Sequence, residues 1–275
     1  MRARCWALVA LASLVAAPHA MAETVLLHAA GSLRAALTEA IAVYSAEFGD
    51  VVQPKFGASG LLKNEIVGGA RAEVFASANM EHPLGLAQEH LAGPVVMFAR
   101  NRLCALAKPG LDVAPGTLLD RMLNPQVKLG TSTPRADPSG DYAWEVFRKA
   151  DAIRPGAYAK LDAKALKLAG GPSTQPVPEG RTIYSFLIEQ GVADIFLTYC
   201  TGALAAQKEN SAQQVVALPD ELAVGADYGL TVVKDASPAA YRFALFVLSP
   251  EGQRILEKHG FAAPNLRFAA PNLSR

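Results

Sequence analysis

Between residues 24 and 78, short apolar runs alternate with stretches of helical periodicity, and that alternation restricts the chain to few folds. "TVLLHAA" (24–30) is a short apolar run, as a buried strand requires. Leu33, Leu37, Ile41, Tyr44 and Phe48 then recur at helical spacing, Glu39 and Glu47 fall between them, and Gly49-Asp50 closes the helix. "VVQPKFG" (51–57) predicts a second strand, 61–69 a second helix ending at Gly68-Gly69, and "AEVFASA" (72–78) a third strand. Strand-helix-strand-helix-strand in this order implies a parallel sheet in an α/β fold.

The pattern recurs further along. "PVVMFARNRLCALAK" (94–108) is a long strand-like run, followed by "VKLGTS" (127–132), helices at about 139–150 and 156–169, and the Gly/Pro-rich loop 170–181. A helix at 182–190, a strand at 193–199, a long strand at 223–234 and helices at 238–248 and 250–259 complete it. Two long strands thus flank a middle segment. The expected organisation is two lobes joined by two crossings: lobe I from 23–104 and 222–275, lobe II from 105–221.

The first 22 residues stand apart. Arg2 and Arg4 precede an apolar run from Trp6 to Ala17, and Ala20-Met21-Ala22 forms a small-x-small cleavage pattern. This predicts a secretory signal peptide and an exported, soluble mature protein. The chain has 26 basic against 25 acidic side chains, two of the basic ones in the leader, so it lacks the basic balance of a nucleic-acid binder. Of the cysteines outside the leader, Cys104 and Cys200 both lie in apolar strand-like settings, and two buried thiols are expected rather than a bridge.

Four predicted helix starts carry Ser or Thr beside Gly: Ser32 after Gly31, Ser59 before Gly60, Ser139 before Gly140, and Thr182 in Gly180-Arg181-Thr182. The first turn of a helix presents unpaired N–H groups and a partial positive charge, which together favour an anion. Any one such start taken alone reads better as ordinary capping. Four of them, two in each lobe, point to an oxyanion held in a cleft by dipoles and hydroxyls.

"AAGSL", "FGASGLL", "GGARAEVFASA", "DPSGDYAWEVF", "DIFLTY" and "LSPEGQRILEKHGF" run in order over almost the whole mature chain and resemble the periplasmic molybdate-binding proteins, solute receptors of molybdate/tungstate ABC importers. The resemblance implies a type II periplasmic-binding fold, each lobe a mostly parallel sheet flanked by helices. It implies that the anion is bound by Ser32, Ser59, the backbone at Ser139, Tyr199 and the backbone at Arg181 or Thr182. It further implies no cofactor, no separate cation site, a monomer, the periplasm as location, and a membrane ABC permease as partner. Ser139 departs from the small apolar residue of the commoner pattern. Arg181 would add a positive charge, or is a solvated loop residue. Another oxyanion, or a small acidic solute, is the alternative ligand. Asp137, which could accept a proton from phosphate, reads as a turn residue before Pro138.

Other functions find little support. G-x-S-x-G and S-x-x-K are missing, and His28, His82, His90 and His259 are scattered without a metal-binding spacing, so a hydrolase or metal receptor is a poor fit. His28, within an apolar run, reads as a core histidine. No glycine-rich nucleotide loop follows a strand, and the leader occupies the place where a DNA-binding module would precede such a fold.

Overall fold

The computed structural model describes residues 22–172 and 174–264, and the leader expected at 1–22 lies outside the described residues except for its last position. The elements in chain order are β1 (Thr24–Ala30), α1 (Arg34–Phe48), β2 (Val51–Gly57), α2 (Ser59–Val67), β3 (Val74–Ser77), α3 (Glu81–Gln88) and β4 (Val96–Ala107). Then come α4 (Leu118–Leu123), β5 (Leu129–Ser132), α5 (Pro138–Ile153), α6 (Ala157–Lys164), β6 (Leu166–Ala169), α7 (Ile183–Glu189), β7 (Ile195–Tyr199), α8 (Cys200–Glu209) and β8 (Gln214–Ala217). The last are β9 (Gly225–Val232), α9 (Pro238–Leu248) and α10 (Pro250–Lys258).

The strands run in the order β2-β1-β3-β9-β4-β7-β5-β6, with β8 also paired to β4. β1 is parallel to β2 and β3, and β5 is parallel to β6 and β7. The long strands β4 and β9 enter antiparallel, so each parallel set is extended by antiparallel partners. Position in the sheet explains the composition of the strands. β3 and β7 are buried along their whole length and apolar nearly throughout. β2 lies at the edge, where Pro54 and Lys55 are tolerated because one side of the strand needs no partner.

Helices cover both faces of each set. Leu62, Ile66 and Leu86 from α2 and α3 pack with Phe75 on one side of the first, while Leu37, Tyr44, Phe243 and Phe246 from α1 and α9 fill the other. In the second, Val146, Phe147 and Leu161 of α5 and α6 lie on one face, and Leu187, Ile188 and Ala203 of α7 and α8 on the opposite one. The fold is α/β and two-lobed.

β4 joins the halves. Its residues up to Arg102 pair with β9, and from Leu103 onward it pairs with β7. The returning chain crosses beside it, with Leu103 N–H donating to Val224 C=O at 3.1 Å.

Two expectations are corrected. The helix expected to run to residue 169 stops at Lys164; Ala165 is extended and 166–169 form β6. Pairing of Gly130 with Leu166 and Thr131 with Lys167 overrides the helical propensity of the Lys-, Ala- and Leu-rich segment. Cys104 and Cys200 are not free thiols but a disulfide, with Cα atoms 4.8 Å apart. The antiparallel register sets Cys104 opposite Thr198, two residues before Cys200. The bridge closes a loop of 96 residues that contains most of the second lobe. Replacing both cysteines with serine is therefore expected to lower unfolding free energy by about 2–5 kcal/mol. Urea titration with and without reductant checks this, and a midpoint indifferent to both changes would show the bridge to be energetically silent.

Candidate oxyanion site

Parallel strands send their carboxyl ends to the same edge, where open α/β sheets place ligands. Here the two sets turn those edges toward each other. Ala30 and Gly57, the last residues of β1 and β2, are register partners, which brings the starts of α1 and α2 side by side. From the other lobe come the ends of β6 and β7 and the loop before α5. Between them lies a cavity of about 360 Å³. Ser32, Ser59, Arg34 and Phe56 line one side and Asp137, Gly170, Tyr184 and Tyr199 the other. That volume is at the small end of ligand pockets and suits a small solute.

The two serines are each held by a hydrogen bond. Ser59 Oγ accepts the N–H of Ala78 at 3.1 Å. It caps nothing; the residue before α2 is Ala58, without a side-chain cap bond. Ser32 Oγ lies 2.9 Å from Tyr228 Oη, to which the Asn101 amide donates at 3.3 Å. Either oxygen of the Ser32–Tyr228 pair can be the donor, and where Tyr228 donates, the Ser32 proton is free for the cavity. Ser59, which accepts the Ala78 N–H, keeps its own O–H for the cavity. Burial pushes the hydroxyl of Tyr228 far above the ordinary value, so it stays a donor at any physiological pH.

Tyr199 reaches across from β7 and donates to the C=O of Ala78 at 3.3 Å. The Ala78 peptide thus fixes Ser59 through its nitrogen and meets Tyr199 through its oxygen. At 3.3 Å the Tyr199 bond is long for O–H···O, so exchanging it for a charge-assisted bond to an anion loses little. Burial also holds the Tyr199 hydroxyl in its protonated form, and lifts Tyr184 to about 12.

The remaining expected residues are not gathered at the cavity. Ser139 is fully buried behind it; its N–H is engaged by Asp137 Oδ1 at 3.1 Å, and its hydroxyl has no partner. Arg181 is turned to Glu189 and Glu209 and does not line the cavity. Thr182 caps α7, accepting the Ser185 N–H at 3.3 Å, while its own N–H donates to Glu209 at 2.7 Å. Two acids near this turn, Glu189 at the end of α7 and Glu209 at the end of α8, draw the arginine away. In its place the second lobe offers Ile183, Tyr184 and the Gly170-Gly171 loop. His28 is buried, with Glu65 Oε2 at 3.5 Å, and burial lowers its pKa.

Two charged cavity residues were not singled out as charges of the site. Arg34 opens α1, its guanidinium 4.7 Å from the centre of the Phe56 ring. Among the described residues no carboxylate pairs with it. Its place two residues after Ser32 was the available signal. Asp137, expected as a turn residue, is both the cap of α5 and part of the cavity wall.

The glycines beside Ser59 and Ser139 serve chain packing. A Cβ on Gly60 would lie 2.2 Å from the Arg135 carbonyl oxygen and 2.8 Å from that of Ala136. The Gly60 N–H donates to Ala136 C=O at 2.9 Å, a direct bond between the lobes. Gly180 adopts a positive φ of 78° in open space, as a turn residue. Gly60→Ala is expected to hold the lobes apart, raising the radius of gyration in small-angle scattering and weakening ligand binding at least tenfold. Unchanged scattering and affinity would show that the contact does not limit closure.

Residues 25–262 match the family of bacterial extracellular solute-binding proteins. An uncharacterised protein, PM1146, of Pasteurella multocida is 34% identical over 238 residues, covering 86% of this chain and 98% of that one. The molybdate-binding protein ModA of Mycobacterium tuberculosis is 28% identical over 274 residues, covering 92% and 90%. The structure of the sulfate-binding protein SubI from M. tuberculosis superposes with a TM-score of 0.74 at 17% identity, covering 89% and 88%. On the match of nearly its whole length, this chain belongs to the bacterial extracellular solute-binding protein family.

Proposed function

We propose that the protein captures a tetrahedral oxyanion, molybdate or tungstate, between its lobes and delivers it to the permease of an ABC importer. The observation that carries this reading is the proton arrangement at Ser32 and Ser59. Ser59 has its acceptor side occupied by the Ala78 N–H and a proton left for the cavity, and Ser32 lies on the same cavity wall, hydrogen-bonded to Tyr228. A dianion without protons calls for donors of this kind. Among the described residues that line the cavity, Arg34 is the one with a positive charge. The relation to a molybdate-binding protein over 92% of the chain supports the choice of anion.

Binding proceeds by closure. Ser32 and Ser59 belong to one lobe and Tyr199 to the other, so an anion touching all three has higher affinity for the closed arrangement and shifts the population toward it. The strands running side by side at 102–103 and 224–225 are the natural axis for that motion, close to the crossings expected at 104 and 222. Nothing in this reading asks for bond-making chemistry, and the protein acts as a receptor in the periplasm, reached through its leader.

Sulfate is the second reading, favoured by the superposition on a sulfate-binding protein. Calorimetric titration of anion-stripped protein with molybdate, tungstate, sulfate and phosphate separates the two. The expected result is one-to-one binding, tightest for the first two. Ser32→Ala and Ser59→Ala should each weaken it about tenfold to a hundredfold, the worth of a hydrogen bond to a charged acceptor. A double variant that binds as tightly as the wild type would sink the proposal.

A further inference from the structure

The donors of the cavity suit an oxyanion, but the carboxyl group of Asp137 does not at first sight, and its role in the cleft presupposes the oxyanion reading. Asp137 precedes α5, and its Oδ1 accepts the Ser139 N–H at 3.1 Å, which fixes the carboxyl group in place. Among the described residues Oδ2 has no hydrogen-bond partner, and the side chain forms part of the cavity wall. Gly170 is pressed against it: a Cβ there would lie 2.4 Å from Oδ2. With φ at 69°, Gly170 carries no side chain that could pair with or cover the carboxyl group. Nearby, Ser139 and Thr198 have buried hydroxyls without a partner, and the Ser132 hydroxyl forms no hydrogen bond but lies near enough to Asp137 to favour its charge.

The charges around Asp137 give it no counterion. Asp141, on the same helix, repels it. Tyr184 of α7, Tyr199 of β7 and Tyr228 of β9 feel its field and are neutral. Arg34 faces the cavity from the opposite lobe. Among the described residues no lysine or arginine forms an ion pair with Asp137. Burial, with a smaller push from Asp141, raises its pKa, against the pull of Ser139 N–H and Ser132.

Two anions confined in one pocket retain a proton between them, because the second ionisation must be made against the first. We propose that Asp137 is a specificity-determining residue of the cleft, its free Oδ2 sharing one proton with the bound oxyanion. An anion without protons then binds with uptake of a proton from solvent, whereas one that carries its own hydroxyl brings the proton with it. The sign is set by linkage: Asp137 has a higher pKa in the complex than in the free protein. Affinity is therefore greatest below the free-state pKa and falls as pH rises through the interval between the two values.

The test is calorimetry with molybdate and with inorganic phosphate between about pH 6 and 8, in buffers of different ionisation enthalpy. For the wild type with molybdate the expected result is uptake approaching one proton, and affinity falling up to about tenfold per pH unit. Asp137→Asn retains a good cap for α5 and offers an amide donor instead of a charge. It should bind molybdate without uptake and with a flat pH profile, and its molybdate-to-phosphate affinity ratio should rise at least tenfold. Asp141→Asn should leave the uptake in place. Molybdate binding without uptake in the wild type overturns this inference alone, as does uptake that survives in Asp137→Asn. Failure of both proteins to bind any of the oxyanions, while circular dichroism shows both folded, overturns the oxyanion reading and this inference with it.

Discussion

β4 is a single strand that serves two sheets, and the site depends on that arrangement. Its first part is hydrogen-bonded to β9 and its last part to β7 and β8. Because strand pairing is directional, β4 fixes how the two parallel sets face each other. Their carboxyl ends then open onto one cleft. The returning chain runs beside it, so both connections lie in one narrow band. Bending there moves a lobe as a body and leaves each packed core intact, because close-packed interiors resist distortion more than a pair of strands does. The disulfide from Cys104 to Cys200 sits just beyond this band on the lobe II side. It ties β4 to the residue that follows Tyr199, and so joins the hinge strand to the tyrosine that reaches the opposite lobe.

Within the cleft, what the hydroxyls can offer depends on where their protons are directed. A hydroxyl can donate once, and an uncommitted one donates to whatever is nearest. Here the Ala78 N–H takes up a lone pair of Ser59 and leaves its proton free, while Ser32 is paired with Tyr228. Such preorganisation is made during folding, so binding need not reorder these side chains. The tyrosines behind them are kept neutral by burial, so these hydroxyls do not titrate over the physiological range.

Local patterns in the sequence were sufficient for the parts of the fold set by local periodicity. The β-α-β-α-β start, the helix Pro238–Leu248 and the strand ending at Tyr199 all have the predicted type and nearly the predicted limits. Ser32, Ser59 and Tyr199 were legible as members of a motif, and they meet at the cavity. What was not legible depends on partners far away in the chain. β6 is a strand because β5 is beside it, and the cysteines bond because the β4–β7 register aligns them. Arg181 was open between a cavity charge and a solvated loop residue, because its partners Glu189 and Glu209 lie 8 and 28 residues away. At Gly60 it is the opposite lobe that approaches the backbone, a contact set by chain packing far from it in sequence.

Asp137 shows why capping and ligand binding need not be competing explanations for one residue. A carboxyl group that caps a helix is oriented by the backbone N–H it accepts, and only one of its oxygens is used. Held by Ser139, Asp137 presents the other oxygen to the cavity at a fixed position, without the freedom to turn away from an anion. A carboxylate on a mobile loop would relieve the repulsion by moving into solvent. One anchored at the start of a sixteen-residue helix, with Gly170 packed against it, can relieve it only by holding a proton. The rigidity that stabilises α5 is thus what makes the group chemically responsive to the solute.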